Sequence, residues 1–182
     1  LHRKGFRAMT TTVLVTGPIG SGKSELCRYL ASLGWPVYDC DSRTKALYAS
    51  VPGLKARIEE ALEIEWKDIG VIFTDAGRRA RLESIVYPLV AEDIVKWKAG
   101  QSSRLLFVES AIVMDKPQFD GLYDKVLLVT AGHLLREGRN PAAALRGALQ
   151  TFDLSRVDYE IENNSSIEDL HLKTDKLLCR LI

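Results

Sequence analysis

Apolar runs and helix-like segments alternate along most of the chain. Compact apolar runs occupy most of residues 13–15, 104–109 and 125–130, and such runs are typical of parallel strands that are covered on both faces. Residues 35–38 and 158–161 are predicted to be shorter extended segments. Strands that alternate with helices indicate βαβ units, so the pattern predicts an α/β fold with a parallel sheet flanked by helices.

The first and the last predicted helices are marked by apolar stripes and by their ends. Leu26, Leu30 and Leu33 share one face of a helix that follows the first strand, and Gly34 is a suitable stop for that helix. Ser166, followed by an acidic residue three positions later, predicts the start of the last helix. The packing side of that helix is expected to carry Ile167, Leu170, Leu177, Leu178 and Leu181.

Two further helices are predicted in the first half of the chain. Apolar positions at helical spacing among alternating charges predict an exposed amphipathic helix within residues 52–65. Asp75 is expected to cap a longer helix that stops near Gly100. Pro88 interrupts the apolar stripe of this helix, so we expect a kink or a split there.

Composition excludes several classes of protein. The 182 residues include 25 Lys and Arg against 24 Asp and Glu, so the chain lacks the basic field expected of a protein devoted to nucleic acid or to anionic membranes. No apolar run reaches the roughly 18 residues of a membrane span. Three cysteines without metal-binding spacing predict a reducing, cytoplasmic setting.

The length predicts one domain, which we place at residues 9–182. Residues 1–8 are basic but lack the apolar core of a secretory signal. A natural start at Met9 would place the first strand directly after the initiator. We therefore interpret residues 1–8 as a tag remnant or an extension.

The segment between the first strand and the first helix carries the strongest chemical signal. Its sequence, GPIGSGKS, has the spacing of a phosphate-binding loop and stands between a strand and a helix, as such a loop requires. Its glycines let backbone N–H groups curl around an anion, and the helix start points its positive dipole end to the same place. Lys23 is expected to reach the β- and γ-phosphates of a nucleoside triphosphate, and the Ser24 hydroxyl is expected to ligate Mg²⁺. The residues predicted to bind the nucleotide are Gly17, Pro18, Ile19, Gly20, Ser21, Gly22, Lys23 and Ser24.

Acidic residues follow two of the predicted strands. Asp39 and Asp41 come after the segment 35–38, and Glu109 ends the strand at 104–109. Ligands of open α/β sheets collect at the carboxyl ends of the strands, so these carboxylates are candidates for contact with the same ligand. Glu109 would contact Mg²⁺ through water or hold an acceptor. Helix or loop capping is the alternative for all three residues.

Two groups of arginines are candidate phosphate ligands. Arg78, Arg79 and Arg81 cluster near the start of the long helix, where an ordinary solvated surface is the alternative. Arg136 and Arg139 follow a core strand, and cations at that place would neutralise charge on a phosphoryl group during its transfer.

Another helix is predicted directly after these arginines. Asn140 is a suitable N-cap and Pro141 a suitable first helical residue, and an Ala-rich stretch continues towards Gln150. The chain contains no internal repeat and no low-complexity tract.

Five segments, taken in order, resemble the dephospho-coenzyme A kinase family. The phosphate loop is general to many kinases, whereas the Asp-x-Asp segment and the Leu-Glu-x-Ile-x-x-Pro segment discriminate this family from others. The resemblance covers nearly the whole chain from Val13. The five segments are residues 17–24, 39–41, 72–75, 82–88 and 158–163.

The resemblance implies a P-loop kinase with a helical acceptor-binding part at about 42–100 and a short lid at about 132–150. It implies transfer of the γ-phosphate of ATP, with Mg²⁺, to the ribose 3′-hydroxyl of dephospho-coenzyme A, the last step of coenzyme A biosynthesis. The oligomeric state is left open. Alternatives are another small-molecule kinase with a nucleoside, nucleotide or sugar acid acceptor, and a nucleotide switch without enzymatic activity.

The resemblance also implies roles for single residues. Asp41 matches the acceptor-side general base or orienting residue, and Arg136 and Arg139 match the lid arginines, which with Lys23 form the expected catalytic set. Asn163 resembles the asparagine on the adenine side of the nucleotide site. Residues 109–112 resemble a segment that lines the acceptor site. The residues expected to bind the acceptor are Asp41, Arg79, Tyr87 and Glu109.

The chain departs from the family pattern at several places. Tyr87 stands where the family has His before Pro, Pro18 replaces a loop glycine, and residues 110–112 are Ser-Ala-Ile instead of Pro-Leu-Leu. Residues 66–71 lack an Asp-Gly-x-x-x-Arg segment, and the lid after Arg139 is several residues short. Both short segments are interpreted either as true deletions or as residues absent from the sequence given.

Overall fold

Five parallel strands form the central sheet of the protein, whose computed structural model describes residues 10–143 and 152–182. Their order across the sheet is β2-β3-β1-β4-β5, and β1 lies between β3 and β4 with Val13 paired to Phe107 on one side and to Lys125 on the other. This arrangement confirms the predicted α/β class. The strands are β1 (Thr11–Thr16), β2 (Val37–Asp39), β3 (Leu105–Glu109), β4 (Lys125–Thr130) and β5 (Tyr159–Glu162).

Helices connect the strands and cover both faces of the sheet. The segment 66–73, which fits no clear pattern in the sequence, is a 3₁₀ helix between α3 and α4. Shorter 3₁₀ helices lie at Val113–Asp115, Pro117–Phe119 and Leu154–Arg156. The α-helices whose bounds lie within the described residues are α1 (Lys23–Ser32), α2 (Cys40–Ser50), α3 (Leu54–Leu62), α4 (Ala76–Ala99), α5 (His133–Arg139) and α6 (Ile167–Leu181).

Alternate residues of the buried strands serve two separate hydrophobic cores. Leu14 of β1 belongs to the core that α3 and α4 cover, whereas Val13 and Val15 belong to the core formed with α1 and α6. This follows from the two-residue repeat of a strand, in which successive side chains point to opposite faces. The apolar runs seen in the sequence are continuous because both faces are covered.

The long helix α4 is not split at Pro88, so the split is excluded from the two expected outcomes, a kink or a split. One continuous helix runs from Ala76 to Ala99, capped by Asp75 and followed by Gly100 as predicted. A proline inside a helix costs about 3 kcal/mol. Side chains on both sides of Pro88, such as Val86 and Val90, are buried in the same core, and this burial offsets the local cost.

Two apolar residues that were expected to pack are exposed. Leu33 is 47% exposed because α1 ends at Ser32 and Gly34 adopts the left-handed conformation that terminates it. Ile167 is 54% exposed because it begins α6, before the stripe that buries Leu170. Ser166 caps that helix as predicted, since its hydroxyl accepts a hydrogen bond from the Asp169 amide at 3.2 Å.

Some predictions lie outside the described residues, namely the extension at 1–8 and the part of the predicted lid at 144–150. The start of the helix before that part is described, and the Asn140 side chain accepts a hydrogen bond from the Ala142 amide at 2.9 Å, as an N-cap does. The three cysteines are not disulfide-bonded. Among the helices of the described segments, none has the length and apolarity needed to cross a bilayer.

Candidate active site

A cleft of about 690 Å³ opens at the carboxyl ends of the central strands. The loop after β1 and the start of α2 form one side of the cleft, and α4 forms the facing wall. The end of β3 and the chain that follows it complete the lining. This volume is typical of a site for a small organic ligand, and its position at the strand ends agrees with the rule for open α/β sheets.

The phosphate loop of residues 17–24 is held in a shape that excludes side chains at its glycines. Gly20 and Gly22 have φ values of +79° and +101°, in the left-handed region that glycine tolerates. A Cβ at Gly20 would lie 2.5 Å from the Arg136 carbonyl oxygen, and one at Gly22 would collide with the Asn163 amide. The loop is therefore packed closely against two later segments of the chain.

Lys23, at the start of α1, lines the cleft with an almost fully buried side chain. Its ammonium group donates a hydrogen bond to the Pro18 carbonyl oxygen at 3.2 Å. Burial lowers the pKa of Lys23, while the negative charges of Glu109 and Asp41 act in the opposite direction. A weakly hydrated cation at the end of this loop is well suited to bind a phosphate oxygen.

Ser24 and Glu109 form a pair at the centre of the cleft. The Ser24 hydroxyl donates a hydrogen bond to Glu109 Oε1 at 2.7 Å. Burial raises the pKa of Glu109, and the hydrogen bond from Ser24 partly opposes this shift. A hydroxyl and a carboxylate at hydrogen-bond distance are hard oxygen ligands of the kind that Mg²⁺ prefers, so the donor set fits this ion. Within residues 10–143 and 152–182, no cluster of three or more His, Cys, Asp or Glu residues could hold a metal without further ligands.

The two aspartates after β2 have different surroundings. Asp39 is the N-cap of α2 and accepts hydrogen bonds from the backbone amides of Asp41 and Ser42 at 3.0 and 3.2 Å. The Asp41 side chain is exposed to the cleft and has no hydrogen-bond partner among the described residues. Capping therefore explains Asp39 but not the carboxylate of Asp41, which is available to a ligand.

One side of α4 faces the cleft and carries Arg79, Glu83 and Tyr87, which are spaced four residues apart. The neighbouring arginines point elsewhere: Arg78 and Arg81 donate hydrogen bonds to carbonyl oxygens near the end of α3, at 2.9 and 3.3 Å. Of the three clustered arginines, Arg79 alone lines the cleft. Arg79 also donates to the Ile72 carbonyl oxygen at 3.2 Å.

Arg136, Arg139 and Asn163 lie behind the phosphate loop and do not line the cleft. Arg136 donates to the Ala131 carbonyl oxygen at 3.1 Å, and Arg139 donates to the carbonyl oxygens of Gly20 and Asn163 at 3.4 and 3.1 Å. The Asn163 side chain is buried and donates to the Ser21 carbonyl oxygen at 2.9 Å. In this conformation these residues support the loop, and their roles toward bound ligands remain predictions.

The structure brings most of the other sequence-derived candidates to the same cleft. Its lining includes Lys23, Ser24, Asp41, Arg79, Tyr87 and Glu109, as well as all of residues 109–112. It also contains Lys116, which the sequence gives no reason to select because it stands in a loop outside any motif. Asp93 was also missed, because an acidic residue within the long helix α4 gives no local signal of its contact with Arg43 near the start of α2.

No protein-family model matches the chain. Individual relatives do. The chain is 32% identical to a dephospho-CoA kinase of Frankia casuarinae over 186 aligned positions, which cover 91% of this chain and 81% of that protein. A dephospho-CoA kinase of Porphyromonas gingivalis is 33% identical over 137 positions, covering 70% of this chain and 67% of the relative.

The fold agrees with the sequence comparison. The crystal structure of TT1252 from Thermus thermophilus superimposes with a TM-score of 0.77 at 26% identity, covering 96% of this chain and 99% of that one. The match thus includes the helical wall of the cleft as well as the sheet. From its identity to relatives over nearly its whole length, the chain belongs to the dephospho-CoA kinase family.

Proposed function

We propose that this protein is a dephospho-CoA kinase that transfers the γ-phosphate of ATP to the ribose 3′-hydroxyl of dephospho-coenzyme A. The observation that carries the proposal is the single cleft in which a phosphate loop faces an exposed carboxylate, in a chain of this family. The phosphate loop would bind the triphosphate, and the part of the cleft lined by Asp41 and α4 would receive the acceptor. The reaction is that of an ATP-dependent phosphotransferase.

On the nucleotide side, the backbone amides of the phosphate loop and the Lys23 ammonium would hold the β- and γ-phosphates. The left-handed glycines support this role, because they permit the loop to present its amides without side chains in the way. Arg136 and Arg139 would add positive charge at the transferred group if the lid moved its side chains towards the cleft. Asn163 would contact the adenine of ATP, as its resemblance to the family's asparagine implies.

The hydroxyl of Ser24, with Glu109 behind it, would hold Mg²⁺. When bound, the ion would neutralise charge on the phosphate oxygens of ATP. Glu109 already accepts the Ser24 hydrogen bond, so its carboxylate would orient that hydroxyl or receive a water molecule of the ion. The negative charge of an ionised Glu109 would strengthen either contact.

On the acceptor side, the Asp41 carboxylate would accept a hydrogen bond from the attacking ribose hydroxyl. This bond would fix the direction of attack towards the γ-phosphate and receive the proton as the new ester bond forms. Arg79 and Tyr87, on the facing wall, would contact the rest of the acceptor. Closure of the chain over the cleft would keep water from intercepting the phosphoryl group.

The direct test is an assay with MgATP and dephospho-coenzyme A in which coenzyme A and ADP are both measured. We expect the two products in equal amounts. Shikimate, gluconate and adenosine serve as competing acceptors, and none should be phosphorylated at a comparable kcat/KM. The proposal fails if the folded protein forms no coenzyme A, or if one of the smaller acceptors is preferred.

A further inference from the structure

Lys116 is a cation of the cleft that the proposed mechanism does not use. It follows the 3₁₀ helix Val113–Asp115, in the connection from β3 to β4. Its Nζ lies 2.8 Å from Glu83 Oε2 and 5.7 Å from the centre of the Tyr87 ring, and all three residues line the cleft. The two contacts place the ammonium group against the α4 wall.

The ion pair is accessible from the cleft. The Lys116 side chain is 32% exposed and the Glu83 side chain 23%, so neither charge is sealed in the core. Tyr87 interacts with the same carboxylate, since burial and the charge and hydrogen bond of Glu83 raise the pKa of Tyr87. Glu83 thus acts on Tyr87 as well as on Lys116, and the three side chains form one group on the α4 wall.

The charges around Lys23 form a separate group at the other side of the cleft. After burial, the pKa of Lys23 is affected by Glu109, Asp41 and Cys27, and Lys116 is not among these groups. After burial, the pKa of Glu109 is affected by Ser24, Asp39, Lys23 and Asp41, again without Lys116. An acceptor hydroxyl placed at Asp41 therefore leaves the rest of the acceptor to extend along the α4 wall. The cations on or beside that wall are Lys45, Arg79 and Lys116, and the carboxylates there are Glu83 and Asp115.

We propose that Lys116 binds the diphosphate of the acceptor, and that Glu83 positions its ammonium before the acceptor arrives. This inference rests on the proposed function, because dephospho-coenzyme A carries a diphosphate on the same ribose as the reacting hydroxyl. Lys116 is a flexible point charge and can exchange one anionic oxygen for another. The exchange replaces a partly solvated carboxylate partner by a more highly charged one.

The experiment measures KM for dephospho-coenzyme A and for ATP in Lys116→Met, with inhibition by adenosine measured alongside. Adenosine contains the ribose and the base of the acceptor but lacks the diphosphate. We expect KM for dephospho-coenzyme A to rise about tenfold, as the loss of one charged hydrogen bond predicts. KM for ATP and the inhibition constant of adenosine should stay within about twofold.

Two further variants separate binding from folding. Lys116→Arg retains the charge and should recover most of the lost affinity. Lys67→Met is the matched control, because Lys67 forms a 2.7 Å ion pair with Glu65 outside the cleft, and it should leave both KM values unchanged. The Tm of each variant shows whether the ion pair between Lys116 and Glu83 only stabilises the packing of α4 against the connection from β3 to β4.

The inference is overturned if Lys116→Met leaves KM for dephospho-coenzyme A unchanged, or if it weakens adenosine and dephospho-coenzyme A equally. It is also overturned if Lys116→Arg fails to restore affinity while both variants unfold at lower temperature. An unmutated protein that forms no coenzyme A contradicts the proposed function itself. Formation of coenzyme A with an unchanged KM in the variant contradicts the role of Lys116 alone.

Discussion

At the scale of single residues, the two aspartates at the end of β2 and the start of α2 have different roles: Asp39 supports the fold, and Asp41 is the candidate for chemistry. The Asp39 carboxylate is engaged by the first amides of α2, and it also accepts a 2.6 Å hydrogen bond from the Ser42 hydroxyl. The helix that Asp39 caps carries Asp41 in its first turn. The folding role of one residue thereby places the carboxylate of the other at the cleft.

Asp41→Asn should lower kcat by about 100-fold or more, because the amide cannot receive the proton of the attacking hydroxyl. ATP affinity should change little, since Asp41 lies on the acceptor side of the proposed site. Steady-state kinetics and nucleotide titration test the two statements. Asp68→Asn, an exposed change outside the cleft, is the control. Normal turnover in Asp41→Asn would remove this residue from the mechanism.

Ionised Glu109 should lower the free energy of unfolding at neutral pH, because its carboxylate is partly buried in the cleft. Burial raises the pKa of Glu109 above the ordinary 4.5 of the unfolded state. At a pH between 4.5 and the raised pKa, the native state therefore binds more protons than the unfolded state. The contribution of Glu109 to the free energy of unfolding is therefore present at low pH and falls as pH rises through the raised pKa. Glu109→Gln keeps an oxygen that can accept the Ser24 hydrogen bond and removes the charge.

We expect Glu109→Gln to unfold at higher urea concentration than the unmutated protein at about pH 8, with the difference shrinking towards about pH 4. Activity should fall at the same time, because the ionised carboxylate is lost. Urea titrations of both proteins across this range measure the difference. A difference that does not depend on pH would contradict the assignment of the raised pKa to Glu109.

At the scale of elements, α4 serves both as the wall of the cleft and as the anchor for α2. Arg43 of α2 donates two hydrogen bonds to the carboxylate of Asp93 in α4, one from Nε at 2.8 Å and one from Nη2 at 2.7 Å. Asp93 also accepts a 2.6 Å hydrogen bond from the hydroxyl of Tyr38, which lies in β2 and is 1% exposed. These bonds fix the start of α2, where Asp41 stands, against the opposite wall.

Asp93→Ala should reduce the free energy of unfolding by about 2 kcal/mol, because it leaves the Tyr38 hydroxyl without its acceptor and Arg43 without its partner. Hydrogen bonds from Arg43 lower the pKa of Asp93, so its contribution is present above the ordinary value of 3.8 and is lost as pH falls below it. Urea unfolding near neutral and acidic pH tests both parts. Glu92→Ala is the control, since Glu92 pairs with Lys96 on the exposed side and should change stability by about 0.5 kcal/mol or less.

At the scale of the whole molecule, the phosphate loop is a meeting point of distant segments. Carbonyl or amide groups of Val129, Arg136 and Asn163 approach its glycines so closely that no Cβ could be added without displacement. Hydrogen bonds from Arg139 to the Gly20 carbonyl oxygen and from Asn163 to the Ser21 carbonyl oxygen also tie the loop to these later segments. Nucleotide bound by the loop should stabilise the complete fold rather than the loop alone.

ATP at about 100 times its Kd should increase the free energy of unfolding by about 2.7 kcal/mol. For a domain of this size, the gain corresponds to a rise in Tm of roughly 5–10 °C. Thermal unfolding with and without MgATP measures it. Lys23→Ala should show a much smaller rise at the same ATP concentration, because the variant lacks the buried cation that faces the phosphates. An equal rise in the variant would contradict the role of Lys23.

Local patterns in the sequence were sufficient to predict the strands of the sheet, most of the helices and the phosphate loop. The three central strands β1, β3 and β4 are mostly apolar because the sheet is covered on both faces, and this signal is readable one strand at a time. The loop is equally local, since eight consecutive residues define its backbone and its lysine. The continuity of α4 through Pro88 was not predictable in this way, because it depends on core packing around Val86 and Val90.

The sequence by itself therefore determined a parallel α/β fold and the loop between β1 and α1, because both depend on residues that are neighbours along the chain. Only the tertiary structure decided that Asp39 rather than Asp41 caps α2, and that Lys116 joins Glu83 and Tyr87 in the cleft. These outcomes depend on contacts between residues far apart in sequence. Such contacts leave no periodic pattern along the chain, so they became visible only in the folded structure.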